Sequence, residues 1–254
     1  MFFNQKPVIE FVSTDPAFTH ASPALPSNAR RFLPDWIKRM KEVTTEGVIK
    51  GERKLDTVRK CVPFLDAMKT GYIIPAPVDM WFEVENYGKG VTKECRSQLN
   101  LGGDFVSDFI SEHATAQMSP QSPYRGLIFK FNNIWKINTR PGYSCLFINP
   151  INHGNKYFES FSGVVDTDNY HNIINFPFRI LNPDNKQNFE FYIKKGDPII
   201  QVIPFKRSDT YAKCKTKNVS HKEWKHEMRD QDDISGNFSW YREHQVEKKI
   251  TLEK

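Results

Sequence analysis

Between Gly163 and Gln201 the chain places acidic, aromatic and imidazole side chains on turns between short apolar runs. Gly163-Val164-Val165-Asp166-Thr167-Asp168-Asn169-Tyr170-His171 comes first. An apolar run at 173–181 follows, then a Pro-Asp-Asn turn, a run at 189–193, Gly196-Asp197, and a run at 199–205 that carries one amide, Gln201. Asp166 and Tyr170 fall on a tight turn. A carboxylate there serves as a general base only when a water and a substrate are held beside it. The competing role is a turn carboxylate that bonds the backbone ahead of it. His153 and His171, taken with Asp166 and Asp168, have the donor types of a mononuclear metal site. They lack the His-x-Asp or His-x-x-x-His spacing that such sites use, so no metal is expected. His221 and His226 are five apart on an expected helix and do not share a face. Asn149, Asn152 and His153 put polar groups on one loop, 149–154, where a ligand could be held. Asp168 and Gln201 complete the candidate ligand-binding set.

The elements that position these residues are mostly short strands. Runs at 127–131, 135–137, 143–148, 164–165, 173–181, 189–193 and 199–205 alternate with Gly, Pro, Asn and Asp, the punctuation of a barrel, jelly roll or sandwich. Strands are also expected at 72–74 and 78–84. The segment 34–43 has helical spacing, with Leu33, Trp36, Ile37 and Met40 at i, i+3, i+4 and i+7 and Pro34 in the first turn. A second short helix is expected over 63–68, stopped at Gly71. A third is capped by Asp104, with Phe105, Val106, Phe109, Ile110 and His113 on one face. Residues 44–60 read as a loop or hairpin. In the tail, Ser220 and Glu223 have the spacing of a capping box. The division expected is an N-terminal arm with helices (1–69), a β domain (70–206) and a basic C-terminal tail with a helix (207–254).

The chain has 254 residues, 39% hydrophobic and 13% aromatic, with 20 Phe and 9 Tyr, which suits a β-rich domain with a real core. Its net charge of +6 permits contact with nucleic acid or an acidic partner, although basic and acidic residues are interspersed. No apolar stretch is long enough for a membrane span, and the first residues lack a signal-peptide pattern. The expected location is therefore the cytoplasm of an infected host or a virion, the viral context coming from the resemblance given below. The four cysteines, Cys61, Cys95, Cys145 and Cys214, are far apart and read as reduced thiols.

The Asp166–Tyr170 turn and the Gly196-Asp197 strand resemble the Gly-Val-Ile-Asp-x-x-Tyr and Gly-Asp-x-Ile-x-Gln motifs of the deoxyuridine triphosphatase (dUTPase) and dCTP deaminase superfamily. Thr70-Gly71-Tyr72-Ile73-Ile74-Pro75 is similar to the Ala-Gly-Tyr-Asp-Leu strand of those enzymes. Trp135 through Tyr143 resembles their Ile-x-Ile-Pro-Pro-Gly-Tyr segment. The resemblance covers about residues 70–206. It implies a mainly β protein with flanking helices (α+β), its core a β-clip barrel or jelly roll. It also implies Asp166 as the base, Tyr170 as the platform for a sugar, and a trimer. The chain departs from the pattern at four places. Asn169 is an extra residue between the Asp and the Tyr. The loop 149–154 stands where the Arg-Ser-Ser phosphate motif belongs. Ile73-Ile74 replaces a metal-linked acid. The basic tail replaces a glycine-rich arm. Phe32-Leu33-Pro34-Asp35-Trp36 and Cys61-Val62-Pro63-Phe64-Leu65-Asp66 also resemble an uncharacterised protein family of tailed bacteriophages.

Without the phosphate motif and the arm, triphosphate hydrolysis loses most of its electrostatic machinery. The function expected is a non-catalytic phage protein, a virion or accessory binding component that self-associates or docks on other virion proteins. Two alternatives stand beside it. One is a nucleotide pyrophosphatase or deaminase with a rearranged site, using Mg²⁺, with Arg140, Arg179 or Lys156 supplying the missing cation near the loop 149–154. The other is a small-ligand or nucleotide-binding protein.

Overall fold

In a computed structural model of the chain the described residues are 8–13, 25–48, 51–85, 87, 92–97, 109–113, 117, 128–210, 212–221 and 223–225. The chain divides into two units. One comprises residues 1–39 and 67–210, the other 40–66 and 211–254.

The larger unit is built from strands. β1 (Ile9–Ser13) pairs with β10 (Trp135–Thr139). A five-stranded sheet runs β13–β11–β16–β5–β2, from Gly163–Val165, Tyr143–Ile148, Pro198–Lys206, Tyr72–Pro75 and Ser27–Asn28. A four-stranded sheet runs β12–β14–β9–β8, from Phe158–Ser160, Phe176–Ile180, Ile128–Phe131 and Ile110–Glu112. A third holds β15 (Phe189–Ile193), β6 (Met80–Val84) and β7 (Thr92–Ser97). Every pairing is antiparallel. The mainly β class with flanking helices is therefore what the chain adopts. The sheets are open among the described residues, so the barrel expected is not closed.

Alternation sets which side chains go inward. Phe176, Phe178 and Ile180 of β14 and Met80, Phe82 and Val84 of β6 are buried, with the intervening residues partly exposed. The core they build is aromatic. Phe82 stacks on Phe191 at 4.5 Å and 3°, and Phe131 on Phe178 at 3.9 Å and 15°. Phe158 meets Phe131 and Phe178 edge-on. Such ring pairs add about 0.5–1.5 kcal/mol each to the burial of their area. Ile180, Phe191, Ile200 and Val202 lie in the core as the sequence predicts. Val164 does not. It is 53% exposed and lies on β13, which among the described residues is an edge strand paired with β11.

The first helix is shorter than the periodicity predicts. α1 spans only Asp35–Arg39, burying Ile37 and leaving Trp36 substantially exposed. α2 (Val62–Lys69) matches its expectation, and Gly71 follows it at φ 73. A Cβ on Gly71 would lie 2.2 Å from the Val202 carbonyl oxygen, so no other residue fits between the helix end and β16. The helix expected at 104–113 is corrected where it is described. Ile110–Glu112 is β8, paired with β9, and residues 104–106 lie outside the described residues. So does the last segment, 240–252.

In the smaller unit, β3 (Val43–Val48) and β4 (Gly51–Asp56) form the expected hairpin. Thr57 Oγ donates to the Lys41 carbonyl at 2.6 Å. The capping box is present. The Ser220 N–H donates to Glu223 Oε2 at 2.7 Å, and the Glu223 N–H to Ser220 Oγ at 3.3 Å. Among the described residues no helix is long and apolar enough to cross a membrane.

Candidate functional site

β11 separates the candidate residues into two groups. Its register with β13 pairs Cys145 with Val165, so Asp166 sits beside Ser144 at the N-terminal end of β11. The loop 149–154 leaves the other end. Five residue steps of extended chain, about 17 Å, lie between Ser144 and Asn149. Asp166, Asp168 and Tyr170 share the first end, and Asn149, Asn152, His153 and Gln201 the second. The four donors His153, His171, Asp166 and Asp168 do not come together, because His153 is a strand's length from Asp166 and Asp168. Among the described residues no three His, Cys, Asp or Glu side chains come together as metal ligands.

At the first end the turn is locked by a residue that the sequence reading did not single out. Arg207 follows β16 and opens the short helix α3 (Arg207–Thr210). Its guanidinium donates to both oxygens of Asp168, Nη1 to Oδ1 at 2.8 Å and Nη2 to Oδ2 at 2.6 Å. Nη1 also reaches the Tyr143 carbonyl at 2.9 Å and Ser144 Oγ at 3.1 Å. The Asp168 side chain is 5% exposed, and the Gly142 N–H donates to its Oδ2 at 2.7 Å. The Arg207 hydrogen bonds foremost, helped by the Gly142 N–H, hold this carboxyl down at about 2. Two-toothed pairing of this kind is geometrically exacting. Here it holds the turn. The β11–β16 register pairs Tyr143 with Lys206. A cation one residue beyond that pair was the signal available in the sequence.

Asp166, unlike Asp168, is exposed. Its Oδ1 accepts from Ser144 Oγ at 2.5 Å and lies 3.5 Å from Arg207 Nη1. Its own carbonyl accepts from the Asn169 and Tyr170 N–H groups at 3.0 and 2.9 Å, which folds the turn. Tyr170 is exposed at the surface. Beneath it, Thr167 Oγ is 2.7 Å from Thr139 Oγ and bonds Cys145 Sγ at 3.3 Å. Burial pushes the Cys145 thiol up to about 11, so it packs as a neutral group.

At the second end Gln201 is a staple. It is fully buried. Its Oε1 accepts from the Ile151 N–H at 2.9 Å, and its Nε2 donates to the Thr70 carbonyl at 2.6 Å and the Ala67 carbonyl at 3.2 Å. The amide is spent on three backbone groups. Asn149 Oδ1 accepts from the Ser160 N–H at 3.2 Å, which ties the loop to β12. Asn152 takes φ 56, the left-handed conformation that Asn tolerates in turns.

His153 differs from these. Its Nε2 is buried and has no hydrogen-bond partner among the described residues, and burial lowers the imidazole to about 4. It is therefore neutral near pH 7. It lines a cavity of about 310 Å³ together with Phe32, Pro34, Tyr157, Phe191 and Tyr192.

Two of the three substitute cations are engaged elsewhere. Arg179 pairs with Glu159 at 2.6 Å, and Lys156 lies 3.4 Å from Asp184 and over the Tyr157 ring. Ile73 and Ile74, at the position of the expected metal-linked acid, are buried in the core. These residues do not fit a Mg²⁺-held triphosphate.

Among solved structures the chain is similar to dUTPases of staphylococcal phages. To a variant of the dUTPase of Staphylococcus bacteriophage 80alpha the identity is 10%, over 59% of this chain and 86% of that one, with a TM-score of 0.29. To a variant of the dUTPase from phage phi11 of S. aureus it is 11%, over 60% and 84%, with a TM-score of 0.30. No protein-family model and no curated protein matches the sequence.

Proposed function

We propose that this protein is a non-catalytic binding component on a dUTPase-like β fold, acting in a phage context as a virion or accessory protein that docks on itself or on other virion proteins. The observation that carries this reading is the Arg207–Asp168 clamp. The basic group nearest the Asp turn is committed to Asp168, and the loop that would hold a phosphate leaves the opposite end of β11. The cation beside Asp166, Arg207 at 3.5 Å, is already held by both oxygens of Asp168. The phage context rests on the Phe32–Trp36 and Cys61–Asp66 sequence patterns.

The cavity beside His153 favours a second reading, a binder of a small planar ligand. Its volume is at the lower end of the range for small-molecule sites, about 300–1,000 Å³, and a buried polar atom without a partner calls for an explanation.

One set of assays tests both. The full chain is incubated with dUTP and dCTP, with and without Mg²⁺, while pyrophosphate release and melting temperature are followed. The result expected is no turnover. A rise in melting temperature without turnover, lost in His153→Phe, supports ligand binding in the cavity. Mg²⁺-dependent pyrophosphate release that Asp166→Asn abolishes overturns the non-catalytic reading.

A further inference from the structure

Residues 212–225 contain five lysines and one acidic residue, Glu223. Lys213, Lys215, Lys217 and Lys225 are all exposed. The first three alternate with uncharged residues, so the chain carries them on one side at intervals of about 7 Å wherever it runs extended along a bound strand. Glu223 offsets this charge only in part. Its Oε2 accepts from the Ser220 N–H, which lowers its pKa, and its Oε1 lies 3.8 Å from Lys217 Nζ. At the end of the strip stands an aromatic pair. Trp224 is 47% exposed and stacks on His221, with ring centroids 5.6 Å apart and planes 26° apart. The Trp224 backbone N–H donates to the Ser220 carbonyl at 2.9 Å, so the capped turn fixes the backbone that carries the indole.

We propose that this strip docks single-stranded nucleic acid, with the lysines following the phosphates and the indole taking a base. Lysines alone attract any polyanion. The exposed indole adds a preference, because a flat π surface gains from a base whose face is free, and duplex bases are already stacked on each other. An acidic protein segment offers the lysines equal charge and gives the indole nothing comparable. The proposal is independent of the reading of the β11 ends, since none of those residues enters it.

Fluorescence anisotropy on the full chain tests it, with a labelled oligodeoxythymidine of about twelve nucleotides as the probe. The same strand in a duplex and a polyglutamate of matched charge are the comparators. Four phosphate contacts on a single strand give a log–log salt slope of about −3, so affinity should fall about fiftyfold between roughly 50 and 200 mM salt. Replacing Lys213, Lys215 and Lys217 together by Gln should make the slope shallower by about 2. Trp224→Ala should weaken binding about tenfold at every salt concentration and leave the slope unchanged, and Trp224→Phe should restore most of it. These side chains are exposed, so equal melting temperatures should accompany the changes. Absence of binding at low salt overturns the proposal. So does duplex or polyglutamate binding as tight as the single strand, or Trp224→Ala without effect.

Discussion

Gln201→Leu tests the role of the buried amide directly. The two side chains are similar in size, so packing is largely kept while three hydrogen bonds are lost. Thr70 is an exposed residue, and its carbonyl can turn to water at little cost. The Ile151 N–H and the Ala67 carbonyl belong to partly buried residues. A buried backbone group left unpaired costs about 1–3 kcal/mol, and the added apolar burial of Leu offsets about 1 kcal/mol. The net expectation is a loss of about 3 kcal/mol, which lowers the melting temperature of a unit of this size by roughly 6–12 °C. Gln201→Glu keeps the shape and reverses the chemistry, aiming carboxylate oxygens at the two carbonyls. Burial and those carbonyls raise the folded pKa of this Glu above its unfolded value of about 4.3. A raised acid is stabilising only while protonated. The variant should therefore lose stability progressively as pH rises above about 4.3, by up to about 1.4 kcal/mol per pH unit. Calorimetric melts of the three proteins from pH 4 to pH 8 measure both effects. A Leu variant that melts with the parent, together with a Glu variant whose melting does not respond to pH, refutes the staple.

Two further outcomes follow from burial and charge. Val202→Asp puts an unpaired charge among fully buried neighbours and should cost about 4 kcal/mol or more, whereas Val164→Asp on the exposed edge strand should stay within about 0.5 kcal/mol; chemical denaturation that treats the two alike would show the β11–β13 edge to be misassigned. Asp168 has a folded pKa of about 2 against an ordinary 3.8, so the stability it contributes is complete above about pH 4 and is lost as pH falls toward 2. Asp168→Asn should be less stable than the parent at pH 6 and converge with it near pH 2, and parallel melting curves across that range would contradict the clamp.

The strands were legible in the sequence because two-residue alternation is a local property, and each face of β6 and β14 shows it. The capping box at Ser220 and Glu223 was legible for the same reason, since both partners lie within one turn. What failed was non-local. Ile110 has helical spacing with its neighbours, but pairing with Phe131 across β8 and β9 claims it for a sheet. Val164 is apolar in an expected strand, but nothing local tells that among the described residues β13 is an edge of its sheet. Asp166, Asp168, Tyr170, Asn149, Asn152 and His153 lie on turns and loops and Gln201 on a strand, but their types could not say which turns share an end of the sheet. Asp166 and His153 are 13 positions apart in sequence and leave opposite ends of one strand. Arg207 and Asp168 are 39 apart and touch.

β11 has a consequence for how the molecule can be remodelled. It works as a rigid spacer with a differently built socket at each end, one locked by an ion pair and the other by an amide. Backbone hydrogen bonds to β13 and β16 fix its length, so a change in the loop 149–154 has no soft path by which to shift the Asp166 turn. The two surfaces can therefore be diversified separately. A binding loop grafted at one end leaves the other available as an unaltered reference, which makes the strand a ready frame for two independent specificities on a single chain.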